Sequence, residues 1–209
     1  MIGRFITLEG GEGAGKTTQT RLLKSYFEER DFDVVVTREP GGVPEAEKIR
    51  SLLVQRDGGN WTPMAECLLF FAARQMHVET LIKPSLADGK VVICDRFTDS
   101  TVAYQGYGHG FDLNLIRQVE ALTLGGFKPD VTFLLDLPVR DGIGRSLKHN
   151  SGAVGAENTE DRFERLDLSF HERLRDGFLS IAKEDPDRVK VIDAMQSADT
   201  VFQNMISYL

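Results

Sequence analysis

Gly10-Gly11-Glu12-Gly13-Ala14-Gly15-Lys16-Thr17 is the stretch that decides how this 209-residue chain reads. It fits the pattern G-x-x-x-x-G-K-[S/T]. A pattern fixed at four positions arises by chance in roughly one chain in a hundred of this length. The flanks narrow it further. Arg4 to Leu8 is a short β run, and Thr17 to Arg30 carries Leu22, Leu23, Tyr26 and Phe27 on one helical face, so the loop joins a strand to a helix. The glycines let successive N–H groups turn inward on an anion, and the helix N-terminus adds partial positive charge. Lys16 is placed to reach the β and γ phosphates of a nucleoside triphosphate, and the Thr17 hydroxyl to ligate Mg²⁺. Gly10, Gly11, Glu12, Gly13, Ala14, Gly15, Lys16, Thr17 and Thr18 form the candidate cradle.

The remaining elements alternate. Strands are expected at Val34–Thr37, Val91–Cys94, Val131–Leu137 and Val189–Ile192. Helices are expected at Pro44–Val54, from Pro63 to a stop at Pro84, and at Asp112–Leu124. Further helices are expected from Pro138 to about Lys148, over Glu160–Glu184 and over Ala198–Tyr208. Five apolar strands separated by helices predict a three-layer α/β/α domain with a parallel sheet, the P-loop NTPase fold. The small, polar run Asn150–Asn158 predicts a flexible loop, so one domain over 1–209 is expected, with a helical, mobile lid at about 145–161.

Composition limits the functions. Net charge is −7, a poor balance for a nucleic-acid polymer as partner. The longest apolar run, Cys67 to Ala73, is seven residues, against about 20 for a membrane span. The N-terminus does not read as a signal peptide, and Cys67 and Cys94 read as buried free thiols, so the cytoplasm is expected. No Asn-Lys-x-Asp run marks a GTPase. In this acidic chain, cations gather where strands end. Arg38 follows one strand, Arg96 follows Asp95 at the end of another, Arg50 lies on the helix after Gly41-Gly42, and Arg74 shares a helical face with Phe70. In open α/β sheets ligands bind at that rim. A second anion beside the triphosphate is implied, which favours a small-molecule kinase. Asp95 is a candidate for the Mg²⁺ hydration shell. The four histidines show no metal-ligand spacing.

Six stretches together resemble the bacterial thymidylate kinase family. They are Glu9 through Thr18, Thr37-Arg38-Glu39-Pro40-Gly41-Gly42, Ala46 through Leu53, Leu69 through Arg74, Asp95-Arg96-Phe97 with Ser100 through Gln105, and Asp161-Arg162-Phe163-Glu164. The resemblance implies ATP:dTMP phosphotransfer with Mg²⁺, giving dTDP for dTTP synthesis, in a homodimer. It implies that Phe70 stacks on thymine, that Arg74 and Gln105 bind the base edge, and that Arg50 and Arg96 hold the acceptor phosphate. It also sets Ser100 at the base, Tyr104 against the sugar where a 2′-hydroxyl would sit, and Glu12 at the 3′-hydroxyl or the waters of the metal. One subclass carries an arginine in the loop where this chain has Gly13. The catalytic set here is therefore Lys16, Glu12, Arg96 and two lid cations, Arg145 and Arg162, with Lys148 a weaker option. Two alternatives stay open: a kinase of another nucleotide or deoxynucleoside, and a non-catalytic nucleotide switch.

Overall fold

The structure is a computed structural model that describes residues 3–55, 59–152, 162–163 and 166–209, without the side chains of 147–152. Five parallel strands, β1 (Arg4–Glu9), β2 (Val34–Arg38), β3 (Val91–Asp95), β4 (Val131–Asp136) and β5 (Val189–Asp193), form one sheet in the order β2-β3-β1-β4-β5. The chain leaves β1 toward β2 on one side and returns toward β4 on the other, so direction reverses beside β1. That reversal leaves a crevice at the carboxyl ends of the central strands.

Alternation along the strands fills both faces. Ile6, Leu8, Ile93 and Phe133 point to one side, against Leu23 and Phe27 of α1 (Lys16–Glu28) and Val201 and Met205 of α9 (Ala198–Ile206). Phe5, Val92 and Cys94 point to the other, against Phe71 of α3 (Pro63–His77) and Ile116 of α6 (Leu113–Leu124). The expected three-layer architecture is the one observed. Helix starts follow capping chemistry: Thr62, Asp112, Asp167 and Ser197 each accept a backbone N–H from the first turn they open.

The expected outline differs from the structure at four places. The helix from Pro63 does not stop at Pro84. A π-helical turn, Val78–Ile82, leads into α4 (Lys83–Ala87), and the Lys83 N–H bonds back to the Val78 carbonyl. The wider turn accommodates a proline that has no N–H to donate and whose ring would crowd the preceding α turn. The expected helix Glu160–Glu184 is α8 (Leu168–Glu184). Asp167 caps it, and Arg162 and Phe163 lie in a turn before it. Between β3 and α6 the chain forms an unforeseen pair, α5 (Thr98–Thr101) and a π-helical segment Val102–Gly108. Helix α7 (Val139–Gly152) runs past the expected Lys148. Its last three residues, 150–152, take in the start of the expected flexible loop Asn150–Asn158, which is helical there; the rest of that loop and of the lid, from residue 153, lie outside the described residues, as does Asp161.

A buried polar group fixes α5 to the far side of the sheet. Arg188 donates to both oxygens of Asp99 at 2.6 and 3.0 Å, to Thr132 Oγ1 at 2.8 Å and to Asp185 at 2.8 Å. Thr132 shares a 2.7 Å hydrogen bond with Thr7. Removing one partner of such a pair leaves an uncompensated buried charge, a loss of about 3–5 kcal/mol. Arg188→Ala is expected to cost that much by urea denaturation. A loss below about 1 kcal/mol would rank the pair with ordinary surface ion pairs.

Candidate active site

The loop after β1 takes the form its glycines allow. Gly10, Gly13 and Gly15 have φ of 136°, 67° and 90°. A Cβ at Gly13 would stand 2.2 Å from the Gly142 carbonyl oxygen and 3.1 Å from Arg145 Cβ. Helix α7 therefore sits directly on the loop, leaving no room for a loop arginine at position 13, and the stem of Arg145 occupies that place. Lys16 opens α1 and donates to the carbonyls of Gly10 and Gly11 at 3.1 and 3.0 Å. Burial, then Arg96, holds its amine below the usual lysine range. Thr17 and Thr18 follow on the wall of a cavity of about 560 Å³ beside the loop.

The other wall begins where β3 ends. Asp95 lines it, with its Oδ1 buried and unpartnered among the described residues. Arg96 follows with φ of 70°, a conformation rare for a residue with a side chain. Its guanidinium donates to the Gly10 carbonyl at 3.1 Å, to Ser100 Oγ at 3.2 Å and to Glu12 Oε1 at 2.9 Å. The Tyr104 hydroxyl donates to the same Glu12 oxygen at 3.1 Å. Burial works to raise the Glu12 pKa, but Arg96, Lys16 and Tyr104 outweigh it and hold the carboxyl below its ordinary value. Behind this array lies Glu9. It accepts the N–H of Phe97 at 2.7 Å, the N–H of Ser100 at 3.2 Å and the Ser100 hydroxyl at 2.6 Å.

The deep end of the cavity is aromatic with a few polar atoms. Phe70 and Arg74 come from one face of α3, as their spacing predicts. Arg74 is 3% exposed. Its Nε donates to Glu39 at 2.6 Å, and its Nη2 donates to the Phe97 carbonyl and Thr101 Oγ1, both at 3.0 Å. Its Nη1 has no partner among the described residues. Gln105, 1% exposed, leaves both amide atoms unpartnered. Tyr104 stands edge-on to Phe163 at 5.5 Å, and Phe163 lies 6.3 Å from Phe70.

At the mouth, Arg38 is exposed and reaches Glu47 at 3.4 Å, while Arg50 donates to the Pro40 carbonyl at 2.8 Å. Arg145 extends from the loop to the Ala194 carbonyl at 2.9 Å. Arg162 is placed differently from the others. It bonds Glu66 and the Leu53 carbonyl and does not line the cavity. The side chain of Lys148 lies outside the described residues.

A glycine-rich loop opening α1 therefore faces an arginine-lined pocket walled by aromatic rings. The family described as Thymidylate kinase matches residues 8–205. The chain belongs to the thymidylate kinase family. It is 48% identical to a thymidylate kinase of Geotalea uraniireducens over 195 residues, covering 93% of this chain and 91% of that one. It is 50% identical to a thymidylate kinase of Caulobacter vibrioides over 199 residues, covering 95% and 92%. The crystal structure of thymidylate kinase from Ehrlichia chaffeensis superposes with a TM-score of 0.77 at 38% identity, over 99% of this chain and 98% of that one.

Several residues of this thymidylate kinase site went unassigned in the sequence. Phe163, Glu39 and Glu9 all stand in the stretches that carry the resemblance, and the sequence assigns none of them a role. The one available signal for Glu9 was a carboxylate closing an apolar strand just before the loop. Its burial, then the nearby Asp99, raises its pKa to about 7, against the pull of Arg96 and its own hydrogen bonds. A carboxyl raised in the folded state contributes stability that is whole at low pH and lost as pH rises from about 4.5 through about 7. Relative to Glu9→Gln, the unliganded wild type is thus expected to lose stability between pH 5 and pH 8. Denaturation of both proteins across that range checks it, and a constant difference would mean Glu9 titrates normally.

Proposed function

We propose that the protein transfers the γ-phosphate of ATP to dTMP, giving dTDP and ADP. The observation that carries this reading is the pair of unsatisfied polar side chains in the cavity. Buried polar atoms are nearly always hydrogen-bonded. Arg74 Nη1 and the Gln105 amide offer donors and an acceptor suited to a pyrimidine edge, beside an aromatic surface, Phe70, suited to its face. The triphosphate would lie in the Gly10–Thr18 cradle. Arg50 and Arg96 would take the acceptor phosphate, which competes with Glu12 for the Arg96 guanidinium. Tyr104 and Glu12, joined through one hydrogen bond, would bracket the deoxyribose. The ring leaves little room for a 2′-hydroxyl, a repulsive element of the kind specificity needs.

The acceptor is a phosphate monoester, already anionic near neutral pH, so it needs no general base. Catalysis then consists of aligning two anions and offsetting charge on the transferred group. The Thr17 hydroxyl and the unpartnered Asp95 Oδ1 fit a hydrated Mg²⁺. When bound, that ion supplies positive charge to the phosphate oxygens. Lys16 adds a second cation. Arg145, whose stem lies over Gly13, is better placed than Arg162 to add a third. The same reading includes a homodimer, consistent with apolar side chains left open on α3 and α6, Leu68 and, at 86% exposed, Leu122. It also places the enzyme in the cytoplasm. Among the described residues no helix is long and apolar enough to cross a membrane.

A coupled assay of ADP release with ATP and dTMP tests the reading, with dUMP, dCMP, dGMP and thymidine as competing acceptors. Preference for dTMP is expected. Turnover on another acceptor alone would support a different nucleotide kinase, and ATP binding without turnover would indicate a switch. A transition-state arginine is worth about 10³–10⁵ in rate. Arg145→Ala is therefore expected to lower kcat at least about 10²-fold while the KM for dTMP changes little, and Arg162→Ala is expected to cost less. Near-full kcat in Arg145→Ala with a large loss in Arg162→Ala would reverse the assignment.

A further inference from the structure

Behind the base-reading end of the cavity runs a chain of buried polar groups that the transfer reaction does not use. Glu39 is 4% exposed, and its Oε2 binds Arg74 Nε at 2.6 Å. Its Oε1 meets Nδ1 of His77 at 2.9 Å, and Nε2 of His77 meets Thr37 Oγ1 at 2.7 Å. His77 is 0% exposed and does not line the cavity. A carboxylate only accepts, so the ring proton on Nδ1 points at Glu39. Gly42, at φ 88°, closes over the far bond: a Cβ there would stand 2.5 Å from both His77 Nε2 and Thr37 Oγ1.

We propose that His77 is a positioning residue for base selection, acting through Glu39 to aim the one unpartnered nitrogen of Arg74 into the cavity. The inference rests on the base-side reading given above. An arginine has many rotamers. Here the bonds at Nε and Nη2 fix the guanidinium plane and leave Nη1 as a directed donor. A donor held at that point suits the 4-oxo group of thymine and opposes the 4-amino group of cytosine. Without the His77 bond, Glu39 Oε1 is a buried oxygen lacking a partner, and its nearest compensation is the cation already bound to it. Glu39 then competes for Arg74, and the donor loses its aim. Thr37, at the end of β2, ties the whole chain to the sheet, which makes the base reader rigid.

The test separates the two nitrogens of His77. His77→Asn puts an amide N–H where Nδ1 was and keeps the bond to Glu39. His77→Gln reaches the Nε2 position and loses it, and His77→Leu loses both bonds. Arg74→Lys keeps a charge against Glu39 but has no fork. The readout is the ratio of kcat/KM on dTMP to that on dCMP. Loss of a hydrogen bond to a charged group predicts a fall of about tenfold in His77→Gln and His77→Leu. The fall should come through the KM for dTMP, with the KM for ATP and kcat on dTMP nearly unchanged, and His77→Asn should restore the ratio. If either folded variant, Gln or Leu, keeps the wild-type ratio while Arg74→Lys loses it, or if His77→Asn falls with them, the inference is overturned. If Arg74→Lys keeps the ratio, the base-side reading itself fails.

Discussion

The cavity wall that follows β3 hangs from the carboxylate of Glu9. It sits at the end of the central strand, and its oxygens hold the Phe97 and Ser100 N–H groups and the Ser100 hydroxyl. Those bonds define the turn that leaves β3. Arg96 lies in that turn in a left-handed conformation, which costs free energy unless its surroundings impose it. The same turn starts α5 and the π-helical segment carrying Tyr104 and Gln105. One buried carboxylate thus sets the distance between the phosphate loop and the pocket that faces it. Two adjacent parallel strands, β1 and β3, supply the two ends of that tie.

Charge is arranged the same way throughout. Each cation of the site is already engaged: Lys16 with loop carbonyls, Arg96 with Glu12, Arg74 with Glu39, Arg50 with Pro40. Buried charges tolerate no other state. Anionic substrates would exchange one set of partners for another rather than order loose side chains. Among the described residues, the buried polar atoms of the cavity wall left unpartnered are Asp95 Oδ1, Arg74 Nη1 and the Gln105 amide, beside Gln19 Oε1, Thr20 Oγ1 and His171 Nε2 elsewhere. Leaving such groups bare costs stability, and a fold retains that cost where a ligand supplies the missing bond.

The sheet was legible in the sequence because buried parallel strands are near-continuous apolar runs, as in Val91–Cys94 and Val131–Leu135. The phosphate loop was legible because its glycines and lysine answer to geometry within eight consecutive residues. Thr98–Gly108 was not read as helical. Its residues Ser100, Tyr104 and Gln105 follow the cavity rather than a 3.6-residue apolar stripe, and π-helical turns have no sequence signature of their own. The start of α8 was misplaced because Phe163 and Leu166 extend its apolar spacing, while Phe163 is spent on the pocket. Glu39 and His77 were missed for a different reason. Their partnership spans 38 positions, and no local pattern announces a long-range hydrogen bond. Arg162 fell in a motif that fixed its neighbours but not its direction.

In the proposed function, the bare polar atoms of the cavity are held open for a pyrimidine base. Gln105→Leu tests it most directly, because the two residues are close in volume and the change removes only the unsatisfied amide. Thermal unfolding and dTMP titration calorimetry of the same two proteins give both halves of the answer. A higher Tm is expected for the unliganded variant, since a buried unpaired amide is gone, together with dTMP binding weakened about tenfold. A lower Tm with unchanged dTMP affinity would show that Gln105 serves the core and that the cavity does not read the base through it.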